Sequence, residues 1–242
     1  MNPATFAATA LDSTSVTERG DQQRPVPPGL VATFAPGGTL RASINLGNPI
    51  LASRDGTTGE PVGVSIDLAR EFARWLDVPV ELVVFDKAIA SVEAVRAEQA
   101  DIGFFAVDPA RSDGLLFIAP YVLIEGSYLV LASSAITAGE IVRFGGGAPV
   151  LAALRAGDVD VAAGICPVLV AEAERAPGLR VLPGRFMVIQ QAMGLPAGRG
   201  SAARAFLAAF VEDVKATGFV ADALRRHEIN GGVVAPAASV TS

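Results

Sequence analysis

The side chains that most often carry catalysis or bind metals are scarce in this sequence. The chain has one cysteine, Cys166, and one histidine, His227. These counts exclude an intramolecular disulfide and a site built from several histidines. Cys166 lies in the apolar run 161–170, which is typical of a small buried residue, and His227 lies in a polar segment, which indicates a solvated side chain. We therefore expect no catalytic residue, no metal ion and no cofactor.

Four polar residues have surroundings that leave two interpretations open. Asn45 and Asn48 can donate and accept hydrogen bonds with a ligand, but asparagine beside glycine and proline commonly forms a turn. Arg111 can bind an anion, or it can pair at the surface with a nearby aspartate such as Asp108. Glu125 interrupts an apolar stretch, which suits a cleft residue, yet an exposed glutamate beside a glycine is equally ordinary.

Composition and charge exclude two large classes of protein. Apolar residues make up 51% of the chain and charged residues 18%, which is typical of a globular protein. The longest near-continuous apolar stretch, 118–132, is interrupted by proline and glutamate, so it does not resemble a membrane span of roughly 20 residues. The net charge is −6 and the arginines are scattered, so we expect no nucleic-acid partner.

The apolar patterning predicts alternating strands and helices in the first half of the chain. Strands are expected at 40–46, 80–85 and 102–107, and helices at 66–76 and 89–99. Because parallel strands need helical crossovers between them, this order predicts an α/β fold with a parallel sheet covered by helices.

An internal repeat indicates two similar α/β units. Residues 92–103 resemble residues 151–162 at an offset of 59, with matching arginines and with Asp101 and Asp160 in matching places. Each copy reads as a helix, a tight connection, an aspartate and an apolar strand.

Several segments, in this order, resemble the bacterial extracellular solute-binding proteins of family 3, which serve polar amino acid ABC transporters. The segments are GVSIDLAREFA at 63–73, AD at 100–101, DPAR at 108–111 and FIAPY at 117–121. The resemblance spans about 39–226. It implies a type II periplasmic-binding-protein-like α/β fold, with two α/β lobes joined by hinge strands and the ligand held between the lobes.

The resemblance also implies a division of the chain into lobes. Lobe one is expected at 39–128 plus 190–228, and lobe two at 129–189. Residues 1–38 are expected to form a poorly ordered tail with a short helix near 30–34, and residues 229–242 a second tail. Hinge strands are expected near 127–131 and 187–192.

The ligand contacts follow from the same resemblance. Arg111 occupies the place of the family arginine that clamps the ligand carboxylate, and the backbone from Phe105 to Asp108, including Ala106, would donate further hydrogen bonds. Asn45 and Asn48 stand where relatives often carry an acid and an aromatic residue. Glu125 is a further candidate in the cleft.

Two departures from the family pattern leave the ligand open. Ile165 stands five residues after Asp160, where the family usually places an aspartate that holds the ligand's ammonium. The ligand is therefore an organic acid without an amino group, or its ammonium is held elsewhere, for example by Glu125. Lobe two also looks short by roughly one strand and one helix, which makes it truncated, rearranged or completed by a second copy in a homo-oligomer.

Three functions are carried forward. The first is a solute-binding protein that captures a small carboxylate-bearing ligand, an amino acid or organic acid, for an ABC permease. The second is a dehydratase of the cyclohexadienyl or arogenate type on the same fold, with Glu125 as its acid. The third is a cytoplasmic ligand sensor. The family implies a periplasmic location, whereas the N-terminal residues lack the pattern of a secretory signal, so a cytoplasmic location stays the alternative.

Overall fold

The computed structural model describes residues 26–47, 49–108, 112–134 and 147–238. Helices and strands alternate through the first half. They are α1 (Pro28–Phe34), β1 (Leu40–Asn45), β2 (Ser53–Arg54), β3 (Pro61–Val62), α2 (Val64–Leu76), β4 (Val80–Phe85), α3 (Ala88–Arg96), β5 (Ile102–Ala106) and the long strand β6 (Leu115–Leu131).

The second half has shorter strands and ends on helices. Its elements are α4 (Gly147–Ala156), β7 (Val161–Ile165), α5 (Cys166–Arg175), β8 (Leu179–Val181), β9 (Met187–Pro196), α6 (Gly200–Ala216), α7 (Phe219–Arg226) and β10 (Gly232–Val234). Within the described residues, no helix is long and apolar enough to cross a membrane.

One sheet organises these elements in the order β10-β6-β9-β5-β1-β4. β1 runs parallel to β4 and to β5, which confirms the predicted parallel sheet. β9 is antiparallel to β5 and to β6. Beyond its pairing with β9, β6 continues and pairs with β7 and β8. β6 and β9 therefore connect the parallel part of the sheet to a second, smaller group of strands.

The larger hydrophobic core surrounds α2, whose apolar residues recur at helical spacing. Phe72 is buried at its centre, and its ring meets the ring of Phe34 edge to face at 4.9 Å between centroids and that of Phe210 at 4.9 Å. Phe34 belongs to α1 and is 1% exposed. The predicted short helix near 30–34 is thus present, but it packs into the core and does not belong to a tail; residues 1–25 lie outside the described part.

The C-terminal segment also departs from its prediction as a tail. Residues 232–234 form β10, which pairs antiparallel with residues 122–124 of β6 and forms the edge of the sheet. Ala235 next to it is 3% exposed. The segment is rich in glycine and alanine, and only its position beside β6 gives it a partner. Residues 239–242 lie outside the described part.

A separate core lies among β6, β7, β8, α4 and α5. Its buried residues are Leu129, Leu154, Ala162 and Leu169. All four fall inside 129–189, the range predicted for lobe two. The lobe boundaries themselves, and the completion of this lobe by a second copy, stay predictions.

The internal repeat corresponds to two helix–strand units, α3–β5 and α4–β7. The two matching aspartates have different surroundings. Asp101 has a fully buried side chain and pairs with Arg41 and Arg199, at 2.9 and 3.0 Å. Asp160 is exposed. Similar sequences therefore build similar local structure, but only the first aspartate is part of a buried ion-pair network.

Candidate functional site

A cavity of about 270 Å³ opens where the carboxyl ends of β1 and β5 meet the middle of β6 and β9. In open α/β sheets, ligands commonly bind at the carboxyl ends of parallel strands. The volume lies just below the usual range of ligand pockets, which is about 300–1,000 Å³. The lining residues are Asn45, Gly47, Leu51, Ala52, Ser65, Ala88, Phe104, Phe105, Ala106, Ile124, Ile165, Ile189 and Gln191.

The loop after β1 holds Asn45 at the cavity. The side-chain oxygen of Asn45 accepts a hydrogen bond from the backbone N–H of Gly47 at 2.9 Å, so its turn-forming role is real. A Cβ at Gly47 would lie 2.6 Å from the carbonyl oxygen of Asp86, so only glycine fits this close approach. The amide N–H groups of Asn45 stay available to a ligand, and the two interpretations of this residue are compatible.

The start of α2 places a hydroxyl in the lining. Gly63 precedes the helix with a φ of +132°, and a Cβ there would lie 2.4 Å from the carbonyl oxygen of Leu51. The backbone N–H of Ser65, in the first turn of α2, donates a hydrogen bond to the same carbonyl oxygen at 3.0 Å. Behind Ser65, burial raises the pKa of the Tyr121 phenol, which therefore stays neutral.

The structure brings together three of the residues predicted to contact a ligand. Asn45, Ala106 and Ile165 all line the cavity, at the ends of β1, β5 and β7. Arg111 and Asn48 lie outside the described residues. Asp108 follows β5 and is half-buried, and it is not part of the cavity lining.

Glu125 does not join this group. Ile124 lines the cavity, and because side chains alternate along a strand, Glu125 points to the opposite face of β6. Its carboxylate pairs with the guanidinium of Arg185. The position does not support its predicted role in holding a ligand's ammonium or in acid catalysis.

Glu125 acts instead on the thiol at the start of α5. Burial raises the pKa of Cys166, and the negative charge of Glu125 raises it further. The thiol is half-buried, and Gly231 approaches it so closely that a Cβ there would lie 3.2 Å from the sulfur. A raised pKa keeps Cys166 in the unreactive thiol form near neutral pH.

This surrounding predicts the pH dependence of labelling at Cys166. We expect the iodoacetamide labelling rate to reach half its plateau at a higher pH than that of an unstructured cysteine peptide, because only the thiolate reacts. Glu125→Gln should lower this midpoint by removing a negative charge. The exposed Glu60 offers a matched control, and Glu60→Gln should leave it unchanged. A midpoint at or below that of the peptide would contradict the assignment.

Sequence reasoning missed most of the cavity lining. Ser65, Phe104 and the apolar residues on β6 and β9 were not singled out, nor was Gln191, which is 5% exposed. A signal was present for Gln191, since two consecutive glutamines interrupt the otherwise apolar segment 187–196. In the described part of the chain, His, Cys, Asp and Glu side chains form no group of three that could hold a metal ion.

Comparison with known proteins identifies the fold. The profile of the bacterial extracellular solute-binding proteins, family 3, matches residues 41–228. A mutant of the Thermotoga maritima protein ArgBP aligns with a TM-score of 0.64 and 16% identity, over 83% of this chain and 100% of that chain. A putative ABC transporter binding component from Wolinella succinogenes, complexed with lysine, aligns at 0.63 and 19%, over 78% and 95%.

A third structure is the solute receptor for L-cysteine of Neisseria gonorrhoeae, with a TM-score of 0.63 and 20% identity, over 81% of this chain and 92% of that chain. No curated protein matches in sequence. The fold is the α/β architecture of type II periplasmic binding proteins, as the sequence resemblance predicts.

Proposed function

Because the chain belongs to the bacterial extracellular solute-binding proteins of family 3, we propose that it captures a small carboxylate-bearing ligand between two lobes and presents it to an ABC permease. The observation that carries this proposal is the cavity between the two groups of strands. Asn45 and Ala106 approach it from the parallel part of the sheet, and Ile165 approaches it from β7. A ligand there would touch both groups of strands.

The two strands that cross between the groups, β6 and β9, would act as the hinge when the lobes close around a ligand. β6 pairs with β9 up to Gly126 opposite Met187, and from Gly126 onward it pairs with β7. A Cβ at Gly126 would lie 2.5 Å from the side chain of Met187, so glycine permits this junction. Rotation about two crossing strands is a hinge motion, and a ligand that touches both sides favours the closed state.

Arg111 is the proposed partner of the ligand carboxylate. It follows Ala106, a lining residue, by five positions in the chain. A planar guanidinium can donate two parallel hydrogen bonds to a carboxylate. A closing cleft removes water from the ligand, so its charge needs such a partner. The ligands named for two of the similar structures, lysine and L-cysteine, also carry a carboxylate.

The two alternative functions gain less support. A dehydratase needs a proton donor aimed at a leaving hydroxyl. The described lining residues include no carboxylate or imidazole, and Glu125 points away from the cavity. The second alternative, a cytoplasmic sensor, would bind the same ligand without a permease. The family description is of extracellular proteins, so the proposed site of action is outside the cytoplasm.

Thermal unfolding with a panel of amino acids and organic acids tests the proposal. At a ligand concentration of 100 times Kd, binding adds about 2.7 kcal/mol to the free energy of unfolding. For a chain of this size that raises Tm by roughly 5–11 °C. One or a few related compounds should give this shift without being consumed. Turnover of prephenate or arogenate in the same tube would favour the dehydratase, and the absence of any shift across the panel would count against ligand capture.

A further inference from the structure

Gln191 lies on the cavity wall, and its amide has no hydrogen bond within the described part of the protein. The residue is 5% exposed. The polar atoms of Gln191 are not among the fully buried unpaired atoms of the described residues, so the amide faces the open cavity. It can therefore donate and accept hydrogen bonds with a bound group.

The strand geometry directs this amide into the cavity. Gln191 lies two residues from Ile189 on β9, so both side chains are on the same face. The strand partner of Gln191 on β5 is Ala106. Ile189 and Ala106 both line the cavity, as does Gln191 itself. The neighbouring residue, Gln190, is on the opposite face and is exposed.

The rest of the described lining is neutral and mostly apolar. Asn45 and Ser65 are the other polar side chains, and neither carries a charge. Ile165, at the end of β7, adds an apolar side chain to the lining. A ligand with an ammonium or a cationic side chain would therefore find neutral acceptors but no negatively charged partner among the described lining residues.

We propose that Gln191 determines ligand specificity, and that the ligand is a small carboxylate with an uncharged, largely apolar body that presents a carbonyl or hydroxyl oxygen to this amide. Aliphatic 2-oxo and 2-hydroxy acids have this chemistry. The inference rests on the proposed function, in which Arg111 holds the carboxylate.

Matched ligands that differ in one group test the inference. Titration calorimetry with 4-methyl-2-oxopentanoate, 2-hydroxy-4-methylpentanoate and L-leucine should give at least tenfold tighter binding for an oxygen-bearing acid than for the amino acid, and L-arginine should bind weaker still. Gln191→Leu should weaken binding of the favoured acid roughly 5- to 150-fold, because the ligand oxygen loses its hydrogen bond. The Tm of the ligand-free variant should change little, since the amide forms no hydrogen bond with the described residues. Gln190→Leu is the matched control and should leave affinity unchanged.

The outcomes separate this inference from the proposed function. If L-leucine or L-arginine binds as tightly as the oxo or hydroxy acid, or if Gln191→Leu changes affinity less than twofold, the inference is wrong. The proposed function still stands in that case, provided that Arg111→Ala weakens the observed binding. If no compound of either class binds, both are wrong.

Discussion

Replacement of Asp101 by alanine is expected to lower the free energy of unfolding by about 3–5 kcal/mol, because it removes the buried carboxylate that pairs with two arginines. Among the described residues, the mostly buried Arg199 would then keep only the exposed Glu98 as an ionic partner. The Asp101 carboxylate accepts hydrogen bonds from the backbone N–H of Arg41 at 2.9 Å and from its guanidinium at 2.9 and 3.0 Å. It also accepts one from Arg199 at 3.0 Å, and the Arg199 side chain is only 9% exposed. The side-chain hydrogen bond with Asp101 raises the pKa of Arg41.

Asp101 matters for the fold because of what it connects. Arg41 is the second residue of β1, Asp101 precedes β5, and Arg199 precedes α6. The guanidinium of Arg199 also donates to the backbone oxygen of Thr33 in α1. The carboxylate therefore joins two neighbouring parallel strands to elements from both ends of the chain. Thermal or urea unfolding would measure the loss, which corresponds to a Tm decrease of roughly 6–20 °C for a chain of this size.

The repeat supplies the matched control. Asp160 occupies the same place in the second helix–strand unit but is exposed, so Asp160→Ala should change the free energy of unfolding by less than about 0.5 kcal/mol. Equal effects at the two positions would show that the ion-pair network around Asp101 contributes nothing specific.

Arg111→Ala should have the largest effect on ligand binding. Loss of one partner of a buried, hydrogen-bonded charge pair typically costs about 2–5 kcal/mol, which corresponds to a roughly 30- to 5,000-fold increase in Kd. Calorimetry with the best compound from the ligand panel would measure it. Tm without ligand should change little, because the proposed partner of Arg111 belongs to the ligand.

One further variant tests whether binding needs the planar guanidinium or only a positive charge, and a second serves as a control. Arg111→Lys keeps the charge but loses the planar pair of donors, so its Kd should lie between those of the native protein and Arg111→Ala. Arg70 is an exposed arginine on α2, and Arg70→Ala should leave Kd unchanged. An unchanged Kd for Arg111→Ala would show that the carboxylate is held by another group.

Local patterns in the sequence predicted the elements well because the patterns are short-range. The helical spacing of apolar residues in α2 and the apolar runs of β4 and β5 depend on neighbours a few residues apart. Phe34 and β10 were misassigned because their partners, Phe72 and β6, are distant in the chain. A glycine-rich or proline-rich segment carries no local sign of such a partner.

The candidate site shows the same contrast between what local sequence patterns predict and what depends on partners distant in the chain. Asn45, Ala106 and Ile165 were identified through the family resemblance, which carries information about strand ends. Gln191 required knowledge that β9 lies between β5 and β6, and that its side chain faces the cavity. The orientation of Glu125 away from the cavity depends on the register of β6, since a shift of one residue exchanges the two faces of a strand.

The sequence by itself determined the α/β class, the parallel order of the first strands and membership in a solute-binding family, because apolar spacing and ordered motifs are properties of the linear chain. Only the tertiary structure decided which side chains share the cavity, which aspartate of the repeat is buried, and where the terminal segments pack. Those properties depend on pairings between residues far apart in the chain, and the free energy of each pairing depends on burial that a linear sequence does not display.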